Sequence, residues 1–224
     1  MAWLAPRLRL PQVWTLIDRD EDLLQLVPAV DPVAQIVSVD TQVRSINDLS
    51  GPEVKTAGLV TASAVLDVLS FRQLDRLAKL LSEAQVAALF SLNVTGKVHL
   101  TPQARPDDDD ISEAFNCHQL RSGLAGPRAA GYLEQQLLQA GFRVSTAATP
   151  WLLSTRAQHQ DMTHQETGEL IERYLTERVA AAVEQQPNLA DRAPSWLTAR
   201  LAQLRKGLLS VQVDHVDILA LPPL

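Results

Sequence analysis

One segment near the start of the chain joins a strand pattern, an acidic residue and a helix start in direct succession. Residues 13–17 (Val-Trp-Thr-Leu-Ile) are β-branched or large and apolar, which predicts a short strand. Asp18 closes this strand, and Asp20 can cap a helix whose first turn holds further acids. A carboxylate at this place in a nucleotide-binding sheet accepts hydrogen bonds from ribose hydroxyls. The segment therefore predicts either a ribose ligand at Asp18 or a plain surface acid beside a helix.

The rest of the chain alternates between strand patterns and helix patterns. Amphipathic helical spacing begins after residue 63 and returns in several later segments. Its first apolar positions, which suit one or two helices, are Leu66, Leu69, Leu74, Leu77, Ala78 and Leu81. Such alternation favours an α/β fold with a mainly parallel sheet over an all-α or all-β fold. A chain of 224 residues is long enough to bury a sizeable core, so we expect one domain over residues 1–224. Strands are expected over residues 13–17, 35–47, 57–62, 86–92, 142–147 and 211–221.

Two local patterns predict finer detail. Thr95-Gly96 is typical of a turn between two strands, residues 90–94 and residues 97–100. Residues 155–185 carry a helical pattern throughout. The first pattern predicts a hairpin and the second predicts one long helical region.

Charge and cysteine content exclude several classes of protein. The formal net charge is −6 and no long basic run occurs, so the sequence lacks the footprint of a nucleic-acid binder. Cys117 is the one cysteine and cannot form an internal disulfide, which suits a reducing compartment. No stretch approaches the ~20 apolar residues of a membrane span. We expect a cytoplasmic protein with no nucleic-acid or membrane partner and an unassigned oligomeric state.

Five strings of the sequence carry a family resemblance: residues 3–8 (Trp-Leu-Ala-Pro-Arg-Leu), 16–20 (Leu-Ile-Asp-Arg-Asp), 59–67 (Leu-Val-Thr-Ala-Ser-Ala-Val-Leu-Asp), 114–119 (Ala-Phe-Asn-Cys-His-Gln) and 215–221 (His-Val-Asp-Ile-Leu-Ala-Leu). These strings resemble one bacterial branch of the class I S-adenosylmethionine-dependent methyltransferases. The order of strands and helices is similar to that family over nearly the whole chain. The resemblance implies a doubly wound, mostly parallel Rossmann-like sheet whose final strand is antiparallel, and methyl transfer to a small molecule.

The sequence departs from this family at one motif. Members of the branch carry an Asp-x-Gly-x-Gly-like turn just before the segment similar to residues 1–8, and its glycines let the backbone approach the cofactor. We therefore expect an N-terminally truncated domain without the first strand and the glycine-rich turn. The absent strand predicts poor stability, or a gap or altered pairing between residues 13–17 and 57–62. A remnant or binding domain that keeps the fold without activity is the alternative.

The resemblance places the cofactor S-adenosylmethionine against the ends of the second and third strands of the family fold. Asp18, with Arg19 beside it, would hold the ribose hydroxyls. Asn47, Asp48 and Leu49 would pack on the adenine, the acid accepting a hydrogen bond from the exocyclic amine. A simple turn built by Asp48 is an equal alternative.

Small side chains end the presumed fourth strand. Ala62 and Ser63 would leave room for the sulfonium and methyl group of the cofactor. Ser63 could also cap the next helix, and both roles are compatible. Asp67, one helical turn later, either faces the pocket or is a solvated helix residue.

The resemblance also places acceptor contacts in a segment after the presumed fifth strand. Asn116 and Gln119 are three residues apart and share a helical face, whereas His118 points elsewhere unless the helix breaks. A histidine here could take a proton from an acceptor atom, although a structural histidine is the commoner case. Residues 101–127 would then form an inserted cap over the substrate.

Other acidic and histidine residues predict no metal site. His159 and His164 have the wrong spacing for a helical metal pair. The four acids at residues 107–110 lack the pattern of a calcium loop and predict a solvated loop. An NAD-dependent oxidoreductase remains a further alternative, because Asp18 would serve an NAD ribose equally well.

Overall fold

The computed structural model describes residues 3–27, 35–102, 106–155 and 162–223. The chain divides into two compact units, Met1–Glu53 (unit 1) and Val54–Leu224 (unit 2). The strands are β1 (Gln12–Asp18), β2 (Ile36–Val43), β3 (Leu59–Ser63), β4 (Ala87–Thr101), β5 (Arg143–Ala148), β6 (Trp151–Ser154) and β7 (Ser210–Leu221). The α-helices are α1 (Glu21–Gln25), α2 (Gly51–Thr56), α3 (Phe71–Ala84), α4 (Asp108–Gln119), α5 (Ala129–Gln139), α6 (His164–Gln185) and α7 (Ala193–Arg205).

Unit 1 is built on a parallel pair of strands, β1 and β2. Asp18, the last residue of β1, pairs with Val43, the last residue of β2. The Asp20 side chain accepts hydrogen bonds from the backbone N–H groups of Asp22 at 3.0 Å and Leu23 at 3.3 Å. These bonds satisfy donors that the first helical turn leaves free. The predicted succession of strand, terminal acid and capped helix is confirmed.

Unit 2 contains a five-stranded sheet with one antiparallel strand in its middle. Four of its strands lie in the order β3-β4-β7-β5. β6 pairs with residues 210–213 of β7, and β5 pairs with residues 216–221 of the same strand. β3 runs parallel to β4, whereas β7 runs antiparallel to both β4 and β5. The expected α/β fold, mostly parallel with an antiparallel final strand, is confirmed. β1 pairs with β2 in one sheet and β3 pairs with β4 in the other, and the gap or altered pairing expected between residues 13–17 and 57–62 stays a prediction.

Helix α3 forms where the apolar spacing predicts it. Ser70 and Gln73 form a capping box at its start, in which each side chain bonds the backbone N–H of the other. The buried face consists of the residues singled out by the helical period, namely Leu74, Leu77, Ala78 and Leu81.

The predicted hairpin at Thr95-Gly96 is wrong, because β4 continues through it as one strand. The ladder between β4 and β7 is irregular around residues 90–93 and 94–98. At the first irregularity Asn93 donates to the carbonyls of Phe90 and Val216, at 3.0 and 2.9 Å. Asp217 accepts from the Leu92 N–H at 2.9 Å. At Thr95-Gly96 itself the Thr95 hydroxyl donates to the Asp214 carbonyl of β7 at 3.2 Å, so side chains bridge β4 and β7 at both irregularities.

The helical region predicted for residues 155–185 is confirmed over residues 164–185, where α6 lies. β6 lies just before the predicted region and pairs with the first residues of β7. Helix α6 begins at His164, where Thr163 and Glu166 form a capping box. Residues 156–161 lie outside the described part of the chain.

A hydrophobic cluster lies where α4, α6 and α7 meet β6 and β7. Trp196 of α7 is its largest buried side chain, and Ile171 and Leu175 of α6 are fully buried in it. α6 packs against both α4 and α7. Unit 2 therefore contains two groups of packed helices, α3 with α5 and the α4–α6–α7 cluster. None of the helices in the described residues is both long and apolar enough to cross a bilayer.

Candidate functional site

Asp18 presents an exposed carboxylate at the carboxyl end of β1. Its Oδ1 accepts a hydrogen bond from the backbone N–H of Asp20 at 3.0 Å. An ionised carboxylate has about four acceptor positions, so this single bond leaves capacity for two hydroxyl donors. The four residues that follow Asp18 line an open surface depression; they are Arg19, Asp20, Glu21 and Asp22.

Asn47 and Asp48 lie in a 3-10 turn, Ile46–Asp48, after β2. Asp48 Oδ2 accepts from the Ser45 N–H at 3.0 Å, and Ser45 Oγ accepts from the Asn47 N–H at 3.1 Å. The turn alternative for Asp48 is therefore present in the structure. The Asp48 carboxylate is exposed and keeps a second oxygen, which a hydrogen-bond donor can approach.

Ala62 and Ser63 end β3 in unit 2. The helix-cap alternative for Ser63 is wrong, because Ser70 is the residue that caps α3. The chain instead turns at Ala64, whose φ is +51° and whose N–H donates to the Ser91 carbonyl at 3.0 Å. Ser63 is left exposed at the strand end.

Asn116 anchors α4 to β4. Its Nδ2 donates to the carbonyl of Gly96 at 2.9 Å, and its Oδ1 is buried without a hydrogen-bond partner among the described residues. Gly96 has a φ of +78°, and a Cβ there would come within 2.8 Å of the Pro127 Cβ. Only glycine fits this contact, so the Thr95-Gly96 pair that suggests a turn instead permits close packing of helix on strand.

His118 joins α4 to α6 and not to Asn116. Its Nε2 lies 3.1 Å from Glu184 Oε2, and Arg121 pairs with the same carboxylate. These hydrogen bonds, led by the one from Arg121, lower the pKa of Glu184. Gln119 packs against Gly126, with its Cβ 3.2 Å from where a Gly126 Cβ would stand. Asn116, His118 and Gln119 therefore make three separate contacts in the structure.

A second histidine, His215 on β7, is buried and was not among the predicted site residues. Its Nδ1 lies 2.9 Å from the Val213 carbonyl, and since a carbonyl only accepts, Nδ1 carries the hydrogen. Its ring centroid is 5.1 Å from that of Trp151. Burial raises the pKa of Asp67, against the opposing charge of His215. Asp67 is half-buried, so it is not the solvated helix residue offered as one alternative. His215 is missed by sequence reasoning because a buried histidine on a strand gives no local sequence signal.

The prediction of a solvated loop at residues 107–110 is wrong. Arg192 pairs with Asp107 at 2.6 Å and with Asp110 at 2.5 Å. Asp108 pairs with the fully buried Arg200 and accepts from the Trp196 indole N–H at 2.6 Å. The acids tie the start of α4 to α7, and their partners lie 82 to 92 residues away along the chain.

Comparison with known proteins yields remote structural similarities. No family model matches the chain, and no curated protein matches it. Mycolic acid cyclopropane synthase CmaA1 complexed with SAH and CTAB is 11% identical, with a TM-score of 0.41 over 91% of this chain and 69% of that chain. The cyclopropane synthase MmaA2 from Mycobacterium tuberculosis is 12% identical, with a TM-score of 0.38 over 91% and 69%. The apo-form of CmaA1 is 11% identical, with a TM-score of 0.37 over 92% and 74%. All three TM-scores lie below 0.5, so these similarities assign neither a family nor an activity to the chain.

Proposed function

We propose that the chain is an S-adenosylmethionine-dependent methyltransferase of class I that acts on a small molecule. The observation that carries the proposal is the antiparallel β7 between β4 and β5, which run in the same direction. The resemblance implied this arrangement from the sequence strings, and a fully parallel nucleotide-binding sheet would lack it. The pairing of β1 with β2, with Asp18 at the carboxyl end, agrees with the ribose-binding role.

The residues of unit 1 suit the adenosine part of this cofactor. Asp18 keeps free acceptor positions for the ribose hydroxyls, with Arg19 beside it, and Asp48 keeps a free oxygen for the adenine amine. The depression next to Asp18 is lined by one arginine and three carboxylates. Such a negative surface repels a pyrophosphate but tolerates a sulfonium cation, which favours S-adenosylmethionine over NAD. Asn47 and Leu49 are the proposed neighbours of the adenine.

Ala62 and Ser63 are small residues at the end of β3. In our proposal the family resemblance alone assigns them to the methionine part of the cofactor. The bound cofactor supplies an electrophilic methyl group, and alignment of the acceptor with it is the main task of the protein.

Asn116, His118 and Gln119 are the proposed acceptor contacts. The Glu184 carboxylate only accepts hydrogen bonds, so Nε2 of His118 carries a hydrogen and Nδ1 of the neutral ring carries the lone pair. We propose that this Nδ1 takes the proton when the acceptor must lose one.

Binding of S-adenosylmethionine to the Asp18→Asn variant tests the role of the carboxylate. Loss of a charged acceptor for ribose hydroxyls costs about 1.5–3 kcal/mol, so the dissociation constant should rise about 10- to 100-fold by calorimetry. Asp40→Asn is the matched control, because Asp40 is an exposed carboxylate on the neighbouring strand β2. Equal affinities for the two variants would remove Asp18 from the site.

A further inference from the structure

Arg178 is a buried cation between α4 and α6. The residue is 3% exposed. Its guanidinium carbon lies 4.4 Å from the ring centroid of Phe115 on α4 and 5.9 Å from that of Tyr174 on α6. The flat face of the guanidinium is therefore covered by aromatic rings, which attract a cation but leave its N–H edge unmatched.

The N–H edge of Arg178 is only partly satisfied. Nη1 donates to the Tyr174 hydroxyl at 3.1 Å, whereas Nη2 is buried with no hydrogen-bond partner among the described residues. No carboxylate in the described part of the chain forms an ion pair with Arg178. Burial lowers the pKa of Arg178, and Tyr174 opposes this shift. Since a buried charge without a counter-charge is costly, an unmatched guanidinium calls for an explanation.

Arg200 on α7 is a buried arginine with a structural role, and it serves as a comparison for Arg178. It is fully buried, pairs with Asp108, and also donates to the Pro102 carbonyl at 2.8 Å and the Gln203 side chain at 2.9 Å. Its charge is neutralised within the fold. Arg178 has the same burial without the neutralising acid.

We propose that Arg178 binds a small oxyanion, a carboxylate or a phosphate, between α4 and α6. The Nη2 group supplies one donor to the anion. The Tyr174 hydroxyl accepts from Nη1, so its own hydrogen is free to supply a second donor. Phe115 and Tyr174 are both partly exposed and form the aromatic walls of the site. Guanidinium groups match the planar geometry of such anions, which chloride does not share.

This inference goes beyond methyl transfer and does not depend on cofactor binding. The test is thermal unfolding of the full chain in sodium acetate or sodium phosphate, with sodium chloride replacing each salt to hold the ionic strength constant. A ligand of the folded state raises Tm with saturation, by about 3–6 °C at ten times Kd for a domain of this size. A larger effect of acetate identifies a carboxylate ligand, and a larger effect of phosphate identifies a phosphorylated ligand or free phosphate.

Two variants separate the site from general salt effects. Arg178→Gln should show no saturable rise, whereas Arg173→Gln should match the wild type, because Arg173 is an exposed arginine on the same helix. No saturable rise in the wild type, or the same rise in both variants, would overturn the proposal.

A second readout covers the case in which Arg178→Gln does not fold. The arginine side-chain N–H resonances of the wild type are followed by NMR during the anion titration and assigned with Arg178→Lys. A saturable shift of the Arg178 resonance supports the site. Shifts confined to exposed arginines contradict it.

Discussion

Arg200 and Arg178 are both buried cations that contact helix α4, and within the described part of the chain only Arg200 pairs with a carboxylate. Arg200 joins α7 to the start of α4 through Asp108 and to the Pro102 carbonyl. Arg178 lies near the rings of Phe115 and Tyr174, and its Nη2 group has no hydrogen-bond partner among the residues that the structure describes. The difference teaches that burial alone does not define the role of a charge. The paired Arg200 joins two elements of the fold, whereas the unpaired Arg178 is the residue proposed to bind an anion.

Replacing Arg200 should give the largest effect of this comparison. Arg200→Met leaves Asp108 beside a buried position without its cation, and breaking a buried pair in this way costs about 3–5 kcal/mol of unfolding free energy. Urea unfolding measures the loss. Arg205→Met, at the exposed end of the same helix, should change stability little. Equal stabilities of the two variants would mean that the Asp108 pair does not hold α7.

The second prediction removes the other partner of Asp108. Trp196→Phe keeps most of the buried ring but loses the indole N–H that donates to Asp108 at 2.6 Å. A lost hydrogen bond to a charged acceptor costs about 1.5–3 kcal/mol, so the unfolding free energy should fall by that amount. The loss should become smaller when Asp108→Asn is already present, as a double-mutant cycle reveals. Full additivity of the two changes would contradict a direct bond.

Arg178→Met should behave in the opposite way to Arg200→Met. It removes an unmatched buried charge and replaces it with an apolar side chain of similar length, so stability in chloride should stay within about 1 kcal/mol or rise. The same urea unfolding experiment measures it. A loss as large as that of Arg200→Met would show that Arg178 is a structural residue.

The smallest effect concerns Glu184, an exposed charge that links α6 to α4 through Arg121 and His118. Hydrogen bonds from Arg121 and then His118 hold the pKa of Glu184 below its ordinary value of 4.5. A lowered pKa stabilises the fold above pH 4.5, and this stability is lost as pH falls below 4.5.

The variant Glu184→Gln should therefore flatten the pH dependence of unfolding below pH 4.5 and leave its shape at higher pH unchanged. Unfolding curves across this range measure the difference from the wild type. An unchanged acid limb would show that the contact does not persist in solution.

Local patterns predicted the parts of the fold that depend on neighbouring residues. The strand before Asp18, the Asp20 cap and the buried face of α3 each need only a few adjacent positions, and all three are confirmed. The antiparallel final strand came from the family resemblance, because no local pattern gives the direction of a strand in a sheet.

Contacts distant in sequence produced the wrong predictions. The acids at residues 107–110 look like a solvated loop until Arg192 and Arg200 reach them from α7. Thr95-Gly96 looks like a hairpin turn until Asp214 of β7, 119 residues away along the chain, accepts a hydrogen bond from the Thr95 hydroxyl. The site residues remain predictions, and the buried His215 gave no signal that a local pattern could detect.

Direct comparison of two ligands tests the proposed methyltransferase most directly. Isothermal titration calorimetry of the full chain with S-adenosylmethionine, and separately with NAD, measures both affinities under the same conditions. The proposed function predicts one saturable site for S-adenosylmethionine and weaker or no binding of NAD. Tighter binding of NAD, or no heat of binding with S-adenosylmethionine at millimolar concentration, would contradict it.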